Sequence, residues 1–209
     1  MTGRLVRINL VAAVAFTLGG SLFALGALLA QLGIGSLTVV NTVYLTGGFF
    51  FSLGGYTSIL LVADGGRRAR VSAAVLFTGT LLFAVSLVAA FAEGLTPRQS
   101  DTWIWLPDIL GCVCFLVSGR LAMLDVGAGR AVIRVHRITW WVVAVNQLGS
   151  VLFFLAGVAA FVRPATSSDI NAGIVNWGTF AGAVCFAIGG VIQIFDRPTS
   201  TRTVVQHAL

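Results

Sequence analysis

The sequence predicts an all-α integral membrane protein: six transmembrane helices arranged as three parallel two-helix repeats, with both termini cytoplasmic. Three observations carry this expectation. Of 209 residues, 57% are hydrophobic and only 10% are charged, against roughly 25% charged in a soluble domain. Long uncharged runs recur along the chain, each near the roughly 20 residues that cross a bilayer as a helix. Inside these runs one short pattern returns: Gly182-Ala-Val-Cys-Phe186-Ala-Ile-Gly189-Gly190, Gly47-Gly-Phe-Phe-Phe51-Ser-Leu-Gly54-Gly55 and Gly111-Cys-Val-Cys-Phe115-Leu-Val-Ser118-Gly119.

The spans follow in order. An uncharged stretch of 56 residues, Ile8 to Ala63, exceeds the short apolar core of a cleavable signal peptide and accommodates two helices. The first runs from about Leu10 to Ala30 and breaks at the Gly/Ser-rich turn Gln31–Ser36. The second, about Val39 to Ala63, stops at Asp64-Gly-Gly-Arg-Arg-Ala-Arg70. Residues 71–92 form the third, and the polar loop Glu93–Thr102 leads to a fourth that starts at Pro107 and ends near Leu124. The fifth lies within 138–162, and the sixth runs from about Gly173 to Phe195, before Asp196-Arg197-Pro198. Runs of this length exclude a transmembrane β-barrel, whose strands are roughly ten residues of strict alternation.

Arginine sets the orientation, because loops rich in basic residues stay in the cytoplasm. With the N-terminus inside, only Arg98 and Arg163 of the thirteen basic residues fall outside. The others lie within a few residues of span ends, where anionic lipid headgroups attract them at roughly 1 kcal/mol each. The net charge of +6 therefore points to an anionic lipid surface and not to nucleic acid. Arg130, Arg134 and Arg137 are expected on an interfacial basic helix that runs into Trp140-Trp141. Cys112, Cys114 and Cys185 lie in apolar runs, so a disulfide framework is not expected.

The odd-numbered spans carry a simpler form of the motif, Gly19…Phe23, Gly79…Phe83 and Gly149…Phe153, each followed three residues later by Gly26, Ser86 or Ala156. Arg4-Leu-Val-Arg7-Ile8 matches Arg134-Val-His-Arg137-Ile138, and Asn41 and Asn176 each stand six residues before the glycine of their span. These matches define repeat units of about 4–66, 67–127 and 130–198, with 199–209 as a short cytoplasmic tail. Each unit holds two helices, so the copies are parallel and related by rotation about the membrane normal. Small residues on one helical stripe let a second backbone approach closely, and Phe beside the stripe fills the neighbouring hole. The motif is read as a packing joint, with a hinge or sterol groove as its functional alternative.

Candidate chemistry is sparse. Asp108 is an acid inside a span, which is costly and often functional. It also follows Pro107, which suits a first helical turn, where a carboxylate complements the helix dipole and Trp103 and Trp105 form an interfacial belt. Asn41, Asn176 and Asp108 are the candidate ligand or proton site near the outer mouth. Asn146, with Gln147, is expected in an interhelical hydrogen bond, with substrate binding as the alternative. Arg120 is expected to snorkel to the inner headgroups. Both His136 and His207 fall in cytoplasmic segments, and Cys112 and Cys114 point to nearly opposite faces of one helix. No metal or other cofactor is expected, and no phosphate loop, catalytic triad or paired carboxylate is present in the sequence.

Asn41-Thr-Val-Tyr44-Leu-Thr-Gly47, Trp105-Leu-Pro107-Asp108-Ile-Leu-Gly111, Asn146-Gln-Leu-Gly149 and Asn176-Trp-Gly178-Thr-Phe-Ala-Gly182 together resemble uncharacterised bacterial inner-membrane proteins of about this length. They are also similar to the small YrhK-type membrane domain, whose hairpin has a Gly/Phe-rich helix ending near Arg-Pro, as Arg197-Pro198 does here. That resemblance implies no activity, cofactor or catalytic residue. The expected function is a non-enzymatic packing or accessory component that associates with itself or with a larger membrane complex. The alternative is a small transporter or channel with a pathway between the hairpins. A closed apolar interior favours the first, and a polar cavity reaching mid-membrane favours the second.

Overall fold

The structure is a computed structural model that describes residues 2–130 and 132–196. Arg197-Pro198, Arg202, His207 and the expected tail 199–209 lie outside the described residues. Helices α1 (Thr2–Leu32), α2 (Leu37–Leu61) and α3 (Arg67–Ala89) are followed by α4 (Pro97–Ser100), a π-helical turn (Asp101–Trp105) and α5 (Leu106–Val126). Helix α6 (Ile138–Ala159), a two-stranded ribbon of β1 (Val162–Arg163) and β2 (Ser168–Asp169), and α7 (Ala172–Ile194) complete the chain. Six of the helical stretches are long and apolar enough to cross a membrane, with α4, the π turn and α5 joined in one rod, Pro97–Val126. This is a multi-pass membrane protein by length and composition. Its outward faces are aliphatic and aromatic, with Leu18, Val85, Leu155 and Val191 among the exposed side chains.

Glycine fixes how the helices meet. Gly19 receives the Phe51 ring while Gly47 receives Phe23, and the same exchange joins Gly79 with Phe115 and Gly111 with Phe83. Gly149 with Phe186 and Gly182 with Phe153 make the third such pair. A Cβ at any of these glycines would meet the partner's ring at about 3 Å or less, so the hole must be empty for the ring to fill it. These contacts make α1/α2, α3/α5 and α6/α7 antiparallel hairpins. Gly48 against Leu87, Gly157 against Ile109 and Gly20 against Ala187 join the hairpins into a closed ring, with α1 beside α7. One end of the ring holds the arginine-bearing connections, flanked by Arg67, Arg68, Arg130 and Arg137, and the other holds residues 33–36, 90–96 and 160–171, with Arg163 the single arginine among them.

The core on the ring's axis is aromatic. Phe23, Phe83 and Phe153 stand at the corners of a triangle with centroids 6.3, 6.1 and 6.0 Å apart. Phe51, Phe115 and Phe186 form a second triangle, with sides of 6.3, 5.2 and 5.9 Å. Within each hairpin the two rings lie 5.3, 5.1 and 5.3 Å apart. Six phenylalanines, one from each long helix, thus form a two-layered plug.

Two sequence expectations about local structure are corrected. The fourth span does not begin at Pro107. Thr96 caps α4 through a capping box with Gln99, and the backbone stays helical through the π turn into α5. Asp108 consequently has helix before it and no free helix N-terminus to complement. Nor do the described residues of the 130–137 segment form an interfacial helix. Ala128 (φ 54°) and Gly129 (φ 89°) take left-handed conformations, the Gly129 amide donates to the Leu124 carbonyl at 2.7 Å, and α5 ends there. The described residues that follow are irregular up to Arg137, which caps α6 in an extended conformation.

Candidate functional site

A cavity of about 370 Å³ opens at the end of the ring away from the arginine-bearing connections and descends along the axis to the Phe23, Phe83 and Phe153 triangle. Its wall is layered because the second helix of each hairpin, α2, the rod ending in α5, and α7, enters from this end. Tyr44, Asp108 and Thr179 each stand three residues before the motif glycine of their helix, one turn above the aromatic floor. Asn41, Trp105 and Asn176 stand six residues before the same glycines, about 9 Å along the axis. Val40, Ile104 and Val175 lie beside them, and Ala30 on α1 and Ala90 and Ala160 at the ends of α3 and α6 lie between. The ribbon contributes Val162 and Asp169 to the rim.

Asp108 is the one carboxylate deep in this space. Among the described residues no cation or hydrogen-bond donor compensates it, and it lies within Coulombic range of the Tyr44 phenol. It approaches Gly157 of α6, where a Cβ would stand 3.1 Å from Oδ2. Asn41 is committed elsewhere: its Nδ2 donates to the Ala90 carbonyl at 2.7 Å and caps the end of α3. Tyr44, Asn176 and Thr179 make no side-chain hydrogen bond to a described residue, and their polar atoms are not sealed off. Trp105 is not an interfacial belt residue. Its indole N–H donates to the Gly157 carbonyl at 2.8 Å and its ring stacks edge-on against Phe161, while Trp103 alone projects outward.

At the rim, Asp101 Oδ1 accepts from the Val162 amide at 2.9 Å, tying the π turn to the ribbon. Val162 pairs with Asp169, which brings the two acids close. Burial first, and then the Asp101 charge, push the Asp169 carboxyl above its ordinary value.

The structure brings Asp108, Asn41 and Asn176 into this one cavity and leaves Asn146 out of it. Asn146 lies on the far side of the phenylalanine plug, in a second cavity of about 150 Å³ lined by Ser58, Ser72, Ser118, Ser150 and Gln193. Its expected interhelical hydrogen bond does not form. Instead Asn146 Oδ1 is aimed at the Cα–H of Gly189, and Gln147 Oε1 meets Gly119 in the same way. Both oxygens are buried without a hydrogen-bond partner among the described residues.

Two groups of residues escaped the sequence reading. Tyr44 and Thr179 share Asp108's offset from the motif glycine, and that register was the available signal. Asn9 and Gln193 are buried together. Gln193 Nε2 donates to Asn9 Oδ1 at 3.0 Å, and Asn9 Nδ2 donates to the Gln193 and Asp196 carbonyls at 3.0 Å each. No family model, curated protein or solved structure matches the chain, so the likeness to YrhK-type domains rests on the residues quoted above alone.

Proposed function

We propose that the protein is a small transporter of the bacterial inner membrane, with a solute pathway along the axis of the ring. The observation that carries this reading is the uncompensated Asp108 carboxylate in an axial cavity that reaches the middle of the bundle. A packing or accessory component, the first expectation from the sequence, has no use for a half-buried acid that faces an axial cavity without a partner. The phenylalanine plug is then the gate between the Asp108 cavity and the serine-lined cavity beneath it.

In this reading the chain is three parallel repeats about a pseudo-threefold axis, with both termini and the arginine-bearing connections in the cytoplasm. The two phenylalanine triangles and the threefold register of the cavity wall support the repeat. The arginine distribution supports the orientation.

Cysteine accessibility tests the pathway. In a background with Cys112, Cys114 and Cys185 replaced by alanine, Val175→Cys probes the Asp108 cavity and Ala122→Cys the serine-lined one. A membrane-impermeant thiol reagent is expected to label Val175→Cys from the periplasmic side and Ala122→Cys from the cytoplasmic side. Failure of both to react from either side would return the protein to the packing reading.

A further inference from the structure

We infer that the Asp108 cavity is a binding site for a primary ammonium ion that carries an apolar substituent. The inference deepens the pathway reading and rests on it. Tyr44, Asp108 and Thr179 occupy one level of the wall, one on each of three helices around the axis. Each offers an oxygen acceptor, and an alkylammonium head carries three N–H donors around a threefold axis. Three acceptors at this level thus match the three donors of the head in number.

Charge selects a single cation. Asp108 stands where the other two helices have hydroxyls, so this level holds a single ionisable acid, and once ionised it has no described cation in the cavity wall to neutralise it. A bound monocation removes that imbalance, and its hydrogen bonds to a charged acceptor are the strong kind. Beneath this level Phe23, Phe83 and Phe153 form an aromatic floor with no charged group to oppose a cation. Above it Val40, Ile104 and Val175 line the wall, which suits an apolar substituent directed toward the mouth. The volume of about 370 Å³ is that of a small-molecule pocket.

The test is calorimetric titration of the purified full chain with benzylammonium chloride. Benzyl alcohol serves as the neutral isostere and ammonium chloride as the bare cation. Saturable binding of benzylammonium is expected, roughly tenfold weaker in Asp108→Asn and weakened also in Tyr44→Phe and Thr179→Val, with none for benzyl alcohol. Equal binding of benzyl alcohol by the unaltered protein overturns the ammonium assignment without recourse to any variant. Equal binding of ammonium chloride overturns the apolar substituent. Unchanged affinity in Tyr44→Phe and Thr179→Val overturns the threefold acceptor set even if Asp108→Asn fails to fold. The site and the pathway fail separately. Benzylammonium that binds but does not cross liposomes removes the pathway and leaves the site. Asp108-dependent flux of another solute without benzylammonium binding removes the site and leaves the pathway.

Discussion

Gly20 on α1 and Ala187 on α7 touch through their backbones: a Cβ at Gly20 would lie 2.6 Å from the Ala187 amide nitrogen and 2.7 Å from the Ala183 carbonyl oxygen. Gly190 returns the contact, with the Thr17 amide nitrogen at 2.7 Å and the Ala13 carbonyl oxygen at 2.8 Å from its own Cβ position. Backbone atoms cannot rotate away as a side chain can. In lipid, where apolar surface gains little by leaving the solvent, such close approach is a main source of helix association. Gly20→Ala and Gly190→Ala are therefore expected to destabilise the fold by about 1–3 kcal/mol, although alanine is the better helix former. Gly3→Ala, with nothing within 4 Å of the new methyl group, is the neutral control. Unfolding of the three variants in mixed micelles measures the difference.

The same helix pair is joined at the arginine-bearing end by Asn9 and Gln193, which exchange hydrogen bonds while almost fully buried. Asn9→Leu leaves the Gln193 amide without its acceptor in an apolar surround, and a loss of about 1–3 kcal/mol is expected. Replacing both residues by leucine removes the unsatisfied Gln193 amide but still leaves the Gln193 and Asp196 carbonyls without the Asn9 donor, so the double variant should be closer to the parent than Asn9→Leu alone. A double-mutant cycle on unfolding free energies reads this coupling. Additive losses would mean that the two amides do not act as a pair.

Both pairs bear on what could be read from the sequence. The six long helices were legible because length and apolarity alone define a span, and Gly-xxx-Phe was legible as a joint. The identity of the joint was not. That Phe23 fills the hole at Gly47 while Phe51 fills the one at Gly19 depends on antiparallel register, which composition does not encode. Asp108, Asn41 and Asn176 could be grouped because their depths along the spans are similar. Asn146 was read apart from them, about 12 Å into its span, and its cavity lies on the other side of the aromatic plug. Asn9 was missed for a different reason: beside Arg7, at the edge of an apolar run, it looks like a headgroup residue, and its burial comes from α7, far away in sequence. The start of the fourth rod was misplaced because Pro107 suits a helix start, yet proline's missing N–H is tolerated beside a π turn, where the i→i+4 ladder is already interrupted.

The rim carries a pH dependence of definite sign. Burial, and then Asp101, raise the Asp169 carboxyl above its ordinary value of about 3.9. The folded ribbon is thus favoured while Asp169 is protonated. Its contribution is fully present below the unfolded-state value and is lost as pH rises through the raised one. Arg163 does not offset this, since its guanidinium donates to the Ser168 hydroxyl and the Asp169 backbone carbonyl. Asp169→Asn removes the titration, so its thermal midpoint relative to the parent should climb with pH across the carboxylate range and level off near neutrality. A difference that stays flat from about pH 4 to pH 7 would mean that the rim does not sense this charge.

The plug gives the most direct handle on the axis. Phe153 belongs to the cavity floor and packs against Phe23, Phe83 and Phe186, the last of which lines the serine-bearing cavity below. Phe153→Ala opens a space between the two cavities and removes three aromatic contacts, at a stability cost of about 3–5 kcal/mol. Phe153→Leu keeps most of the volume and should cost less. If the axis is a pathway, the alanine variant in liposomes should pass small solutes faster than the parent, with the leucine variant between them. Phe153→Ala combined with Phe186→Ala breaches both layers of the plug and should leak more than either alone. Liposomes as tight with that double variant as with the parent, the variant being folded, would leave no continuous route through the bundle.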